Sequence, residues 1–351
     1  MSRPPVSLPS ADVLGAFAIE PESCEPAPTG LINHTWYARG VGGERFVLQR
    51  LHPIFPAEIN EDIAAVTAHL KRKGLVTPQL VRAADGNWWY RDADGAVWRV
   101  LTYVDGVTRH AVGSAAQARE AGRVLAEFHG AVADLSYQFK NARLGVHDTP
   151  RHLHALRTAL KECADHREFA AVQPLAERVL ALAGSLPALP VAADRIVHGD
   201  PKISNIVFAR NAERAVCLID LDTLARMPVA LELGDALRSW CNPVAEDART
   251  AGFSLPLFAA AVQGYAEAAD GFLTPAEWGA IPAATLTISV ELAARFCTDS
   301  LRERYFGWDE QRHASASAHN QARTRNQLQV ADNVLAALPA MHSVTNAAFG
   351  G

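Results

Sequence analysis

The sequence predicts an α+β fold in two unequal lobes, a small β-rich N-terminal lobe over residues 1–104 and a larger, mainly helical C-terminal lobe over residues 105–351. Three observations carry that expectation. The first hundred residues hold runs rich in aromatic and β-branched side chains broken by glycine turns, the pattern of antiparallel hairpins. From Gly106 onward, alanine-rich segments with helical spacing dominate. The stretch near 104–110 carries neither pattern and reads as the linker, and a cleft between lobes is where small molecules bind by default.

Ser10 precedes Val13, Leu14 and Phe17, spaced for one helical face, and Pro21 closes the run, so a helix is expected near 11–19. Gly30-Leu-Ile-Asn-His-Thr-Trp-Tyr-Ala-Arg39 and Arg45-Phe-Val-Leu-Gln-Arg-Leu51 flank a turn at Gly40 to Gly43 and read as a hairpin. Ile59, Ile63, Val66 and Leu70 recur at steps of three and four, which gives a helix over 57–73 ended by Gly74. Trp88-Trp-Tyr90 and Val97-Trp-Arg-Val-Leu-Thr-Tyr-Val104 supply two more strands around the turn Asp92-Ala-Asp-Gly95. Helices are then expected around 114–132, 150–184, 229–240, 254–269, 275–303 and 314–338, interrupted by a hairpin at 205–221. Trp88, Trp89 and Trp98 offer either a stacking platform for a sugar or core packing, and a thin sheet needs aromatics to bury area.

Composition narrows the class of function. With 49% apolar and 20% charged residues the chain is an ordinary globular protein. A net charge of -5 gives no basic surplus for a phosphate backbone, so nucleic acid is not an expected partner. Cys24, Cys163, Cys217, Cys241 and Cys297 form an odd set with no close pair, which suggests neither a disulfide framework nor a zinc site. Met1 to Ser10 does not read as a signal peptide, and no stretch is apolar for long enough to span a bilayer. The expectation is a cytoplasmic protein without a membrane partner, as a monomer or homodimer.

Two motifs carry chemistry: His198-Gly-Asp-Pro-Lys-Ile-Ser-Asn205 and Val216-Cys-Leu-Ile-Asp-Leu-Asp222. Phosphoryl transfer needs a hydroxyl aligned with the γ-phosphorus of ATP and negative charge neutralised by metal and cations. Asp200 would orient the acceptor hydroxyl or take its proton, as the aspartate of a kinase catalytic loop does. Asn205 would give Mg²⁺ a neutral oxygen, and Asp220, ending an apolar strand, an anionic one. Lys202, between them in sequence, would meet the γ-phosphate as a point charge. The plainer alternative makes Asp200 a turn residue before Pro201 and Asn205 a loop cap. His198 invites a reading as metal ligand or nucleophile, but no second histidine stands at ligand spacing, so a scaffold role is expected. Asp222 either assists the metal or caps the turn.

These motifs resemble the aminoglycoside phosphotransferase and choline kinase superfamily, with its protein-kinase-like fold. More narrowly, Gly30-Leu-Ile-Asn-His-Thr35, Val47-Leu-Gln-Arg50, Ile219-Asp-Leu-Asp-Thr223 and Gly234-Asp-Ala-Leu-Arg238 are similar to its N-acetylhexosamine kinase branch. Arg295-Phe-Cys-Thr-Asp299 is a weaker fragment of the same likeness. The resemblance implies a transferase using ATP and Mg²⁺ on a small-molecule acceptor, a hexosamine or, in other branches, an amino alcohol or aminoglycoside. It implies that Asn33, His34 and Thr35 lie over the nucleotide phosphates and that Arg50 replaces the strand lysine of protein kinases, with Asp62 or Glu61 as its helix partner unless these simply solvate that helix. Adenine would rest against the backbone of Leu101, Thr102, Tyr103 and Val104, Asp235 would steady the catalytic loop, and Arg238 would face substrate or a structural carboxylate. A nucleotide-binding protein without catalysis would be expected to lack Asp200 or Asp220, and both are present.

Overall fold

The computed structural model describes residues 8–27, 33–141 and 145–350, so Gly30 to Ile32 of the expected phosphate loop lie outside the described residues. After α1 (Ala11–Ala16), a six-stranded antiparallel sheet is built from β1 (Glu25–Pro26), β2 (His34–Arg39), β3 (Arg45–Arg50), β4 (Leu80–Val81), β5 (Tyr90–Arg91) and β6 (Val97–Thr102). Its order is β1-β2-β3-β6-β4, with β5 also on β6, and α2 (Ile59–Arg72) connects β3 to β4. The helix expected near 11–19 is shorter because Ala18 takes a left-handed φ of 51° and Ile19 bridges Gly40.

Strand alternation gives the sheet two unlike faces. Trp36, Leu48, Trp98 and Val100 point to one face and pack with Val13, Leu14 and Phe17 in a small apolar core. Trp36 and Trp98 rings lie 5.3 Å apart there, so Trp98 is a core residue. Thr35, Gln49 and Arg99, which are register partners across three strands, point to the other face.

The helical remainder comprises α3 (Ala115–Val132), α4 (Thr149–Glu162), α5 (Phe169–Ala183), α6 (Val229–Trp240), α7 (Leu255–Ala269), α8 (Pro275–Gly279), α9 (Ile281–Arg302) and α10 (Ala316–Phe349). The helix expected over 150–184 breaks into α4 and α5, where His166 Nδ1 accepts the Glu168 amide at 3.2 Å. The one expected at 314–338 runs on through Pro339 to Phe349. Gly122 of α3 and Gly264 of α7 let these helices touch, since a Cβ on either would fall 2.0 Å from a facing carbonyl oxygen. Among the described residues no helix is long and apolar enough to cross a membrane.

Two short ladders carry the chemistry-bearing motifs. β8 (Ile206–Phe208) pairs with β9 (Ala215–Leu218) as the expected hairpin. β7 (Arg195–Val197) pairs with β10 (Ala225–Met227), a three-residue ladder too short to show in the sequence pattern. The linker is pinned to the first of these ladders: Val107 and Phe208 exchange amide-to-carbonyl hydrogen bonds of 2.8 Å each.

Candidate active site

β7 delivers the chain into His198-Gly-Asp200, and the turn is held from below by buried groups. Glu232 of α6, fully buried, accepts the His198 amide at 2.8 Å on one oxygen and the Gly199 amide at 2.8 Å on the other. Burial opposes its ionisation, but His129 and the Gly199 amide outweigh that and hold the Glu232 carboxyl below its usual range. Trp240 Nε1 donates to the Pro201 carbonyl at 2.8 Å. Gly199 has a φ of 83°, and a Cβ there would fall 2.0 Å from the Thr223 carbonyl oxygen, so only glycine fits.

His198 is fully buried, and both ring nitrogens are committed. Nε2 lies 2.9 Å from the Ile219 carbonyl and donates to it, while Nδ1 accepts the Asp200 amide at 3.3 Å. Burial lowers its pKa, and the imidazole is a neutral strut joining the loop to the end of β9. This geometry supplies the expected scaffold and leaves no nitrogen for a metal or a nucleophile.

Around that strut the polar groups of both motifs converge. Lys202 Nζ lies 2.5 Å from Asp200 Oδ2, and Asn205 Nδ2 donates to the Asp200 carbonyl at 2.9 Å. The Ile219 amide donates to the Asn205 carbonyl at 2.9 Å, which brings Asp220 beside the loop. Burial would depress the Lys202 ammonium, yet Asp200 and Asp220 outweigh it and raise its pKa. Asp220 adopts φ 64° and ψ 56°, a left-handed conformation uncommon outside glycine. Although solvent reaches Asp220, protein crowds it closely enough that desolvation pushes its carboxyl up to about 7. The like charges of Asp222 and Asp200 act in the same direction, and Lys202 and Arg99 oppose them.

Three carboxylates thus face two cations, a surplus of negative charge that a divalent ion would relieve. The donor set fits a hard cation: a carboxylate oxygen from Asp220 and the amide oxygen of Asn205, whose Nδ2 is turned toward Asp200. Asp222 is different. It is buried, Arg99 Nη1 lies 2.6 Å from its Oδ1, and Asn33 Nδ2 donates to its Oδ2 at 2.6 Å.

The sheet presents a different cation from the one expected. Arg50 projects from the face that carries Trp98, its guanidinium 6.0 Å from that ring, and His34 stacks near Trp36 on the same face. Neither joins the converging group. One residue's shift in a strand reverses the face, so the positions aimed at Asp222 are Arg99 and, beside it, Gln49 and Thr35. The helix partner also shifts: Asn60 Oδ1 meets Arg99 at 3.3 Å, whereas Asp62 accepts Tyr137 and the Lys140 and Asn141 amides, and Glu61 pairs with Lys140. Of the expected adenine segment, the Thr102 amide donates to Gln79 and the Tyr103 amide to Arg45, which leaves Val104 the first amide without a backbone partner among the described residues.

Asp235 does not touch the catalytic loop. It accepts Arg238 Nη2 at 2.8 Å, and Glu232, three residues earlier on α6, takes the loop amides instead. Arg238 also pairs with Glu246 at 2.7 Å, and Glu246 acts on Lys202 electrostatically, so this pair borders the Asp200 end of the site. Burial opposes the ionisation of Asp235, but Arg238, His147 and, more weakly, Arg295 of α9 outweigh it and lower its pKa. Sequence reasoning missed Glu232, Arg99, Gln49, Asn60 and Glu246. A charge at the centre of Val97-Trp-Arg-Val-Leu101, on the face opposite the apolar positions Trp98 and Val100, was a usable signal for Arg99.

The chain is similar to known proteins over most of its length. The pattern of the family described as the phosphotransferase enzyme family matches residues 23–270. An aminoglycoside phosphotransferase from Alicyclobacillus acidocaldarius superposes with a TM-score of 0.65 at 16% identity, covering 99% of each chain. An amicoumacin kinase in complex with AMP-PNP and Ca²⁺ gives 0.64 at 14% identity over 91% of each chain. A microcompartment-associated aminopropanol kinase gives 0.61 at 16% identity, over 93% of this chain and 97% of its own. At these identities the likeness shows a shared fold, protein-kinase-like in its arrangement of sheet and helices.

Proposed function

The chain belongs to the phosphotransferase enzyme family, and from that premise we propose that it moves the γ-phosphoryl group of ATP, with Mg²⁺, onto a hydroxyl of an N-acetylhexosamine or related sugar. The observation that carries the reading is the convergence of Asp200, Lys202, Asn205 and Asp220 around one point of surplus negative charge. Residues 1–104 then form the nucleotide-binding lobe and residues 105–351 the catalytic and acceptor-binding lobe.

Each side chain has a defined task. Lys202 occupies Asp200 Oδ2, so Oδ1 is left to accept the acceptor hydroxyl, orient it and receive its proton. Lys202 turns its remaining N–H groups toward the transferring phosphoryl group as a point charge. Asn205 and Asp220 would hold Mg²⁺, which when bound neutralises charge on the phosphate oxygens. Asn33 and Thr35 stand at the exit of the phosphate-covering loop, and the Val104 amide, without a backbone partner among the described residues, would donate to adenine.

The acceptor side favours a neutral hydrogen-bonding molecule. A cationic acceptor calls for unmatched acids, whereas Asp235 and Glu246 are both matched by Arg238, and Arg295 stands near Asp235. A coupled ADP-release assay over hexosamines, amino alcohols and aminoglycosides tests this, with Asp200→Ala as control. Turnover with N-acetylhexosamines that is lost in the control is the expected result. Turnover with choline alone would remove the sugar assignment, and no turnover with any acceptor would remove the kinase assignment.

A further inference from the structure

The groups that close around Asp222 come from four separate segments. Arg99 and Asp222 are each 2% exposed, and their Nη1–Oδ1 contact of 2.6 Å is ionic, with no N–H aimed squarely at the oxygen. Taking two such charges out of water costs several kcal/mol per ion, recovered only when their other polar atoms are satisfied. Here they are. Arg99 Nε and Nη2 reach Gln49 Oε1 at 2.9 and 2.7 Å, and Gln49 Nε2 donates to Thr35 Oγ1 at 3.2 Å. Asn33 gives Nδ2 to Asp222 and takes the His52 amide on Oδ1 at 2.9 Å. Asn60 of α2 completes the ring around Arg99.

A well-packed apolar cluster would stabilise the same space as well or better, so stability alone is a poor reason for this network. Its position supplies a better one. Asp222 stands two residues after Asp220, whose left-handed backbone is strained and persists only where the surroundings over-determine it. The following turn is fixed at three points: Leu221 is buried, Asp222 is clamped, and Thr223 Oγ1 donates to the His198 carbonyl at 3.0 Å. Asn33 is also the residue through which the phosphate-covering loop enters β2.

We infer that Asn33, Asp222 and Arg99 form a clamp between the sheet and the catalytic segment that holds Asp220 in its metal-binding pose and ties the phosphate-covering loop to it. These are positioning residues; none is required to touch metal or acceptor. The inference rests on the phosphotransferase reading above, and it makes metal affinity depend on residues of the sheet.

The test uses the full chain, with Mn²⁺ as the metal probe and AMP-PNP as the nucleotide, free Mn²⁺ being read by electron paramagnetic resonance. R99K and D222N should each weaken Mn²⁺ binding in the nucleotide complex by about tenfold, the usual effect of removing a partner that orients a ligand. The hexosamine KM should move less than twofold by the same argument, since no acceptor contact changes. The double variant R99Q/D222N should bind Mn²⁺ more tightly than either R99Q or D222N, because neither charge is left unpaired. Should D222N fail to fold, N33S, which removes a single donor, carries the same expectation at smaller size. Folded variants with wild-type Mn²⁺ affinity, or losses that fall equally on Mn²⁺ and hexosamine, overturn the clamp. A wild-type chain that binds neither Mn²⁺ nor AMP-PNP overturns the phosphotransferase reading and the clamp's role with it.

Discussion

Asp220 and Asp247 each sit at the centre of a cluster that on composition alone invites a metal ion, yet their surroundings differ in kind. Asp220 faces like charges and has its carboxyl pushed up to about 7. Asp247 is surrounded by donors: Arg312 at 2.8 Å, His313 Nε2 at 3.3 Å and His319 Nε2 at 3.3 Å. Burial opposes its ionisation, but those neighbours outweigh it and lower its pKa. His319 Nδ1 accepts the Asp309 amide at 3.1 Å, so in the neutral ring Nε2 carries the proton and points it at Asp247. A metal-bound histidine instead donates from its second nitrogen. Three potential ligands within reach of one another therefore make a hydrogen-bonded staple between the segment after α6 and the start of α10. Spare lone pairs, rather than proximity, distinguish the two clusters.

The largest effect should come from Asp220→Asn, which removes the anionic oxygen without changing shape. ADP release with the active acceptor should fall on the order of 10²–10³-fold, as for other single groups that stabilise developing charge. A loss below about fivefold, far under that scale, would erase the distinction between the clusters. Glu232→Gln tests whether the Asp220 cluster depends on support from beneath. It weakens the acceptor of two buried amides and should cost about 2 kcal/mol in chemical denaturation, with a lowered kcat.

The staple has its own signature in pH. Burial, with Arg323 and His313 nearby, depresses His319 to about 4. An unfolded imidazole takes its proton near 6.5, so between pH 6.5 and 4 the unfolded state binds more protons than the folded one. This contribution is complete above pH 6.5 and is lost as pH falls through that window. His319→Gln should flatten the midpoint-versus-pH curve there, and an unchanged curve would show the histidine to be idle. The smallest expected effect is a null one: Zn²⁺ or a chelator should leave the melting temperature of nucleotide-free protein unmoved. A Zn²⁺ stabilisation abolished by His313→Gln would turn the staple into a metal site.

The sequence made the broad division legible because helical patterns are long there, and the 205–221 hairpin because two apolar runs flank a polar turn. It hid β7 and β10, whose three residues give periodicity nothing to act on. The grouping of Asp200, Lys202, Asn205 and Asp220 was readable because their spacing is local. Arg50 was misplaced against Arg99 because which face of a strand looks inward is a tertiary fact. Glu232 was overlooked for a related reason: an acid on a helix that also carries Asp235 and Arg238 resembles a solvated one until its two amide donors are seen.

The linker has a mechanical consequence. Gly106 has a φ of 156°, and a Cβ there would fall 2.5 Å from the Phe208 carbonyl, so the crossing is built around its absence. With Val107 stitched to Phe208, the crossing is fixed in the hairpin that runs on to Asp220. Arg210, in the turn of the same hairpin, reaches Tyr103 Oη and Asp105 Oδ1 at 3.1 Å each, so the linker is tied to that hairpin on both sides of Gly106.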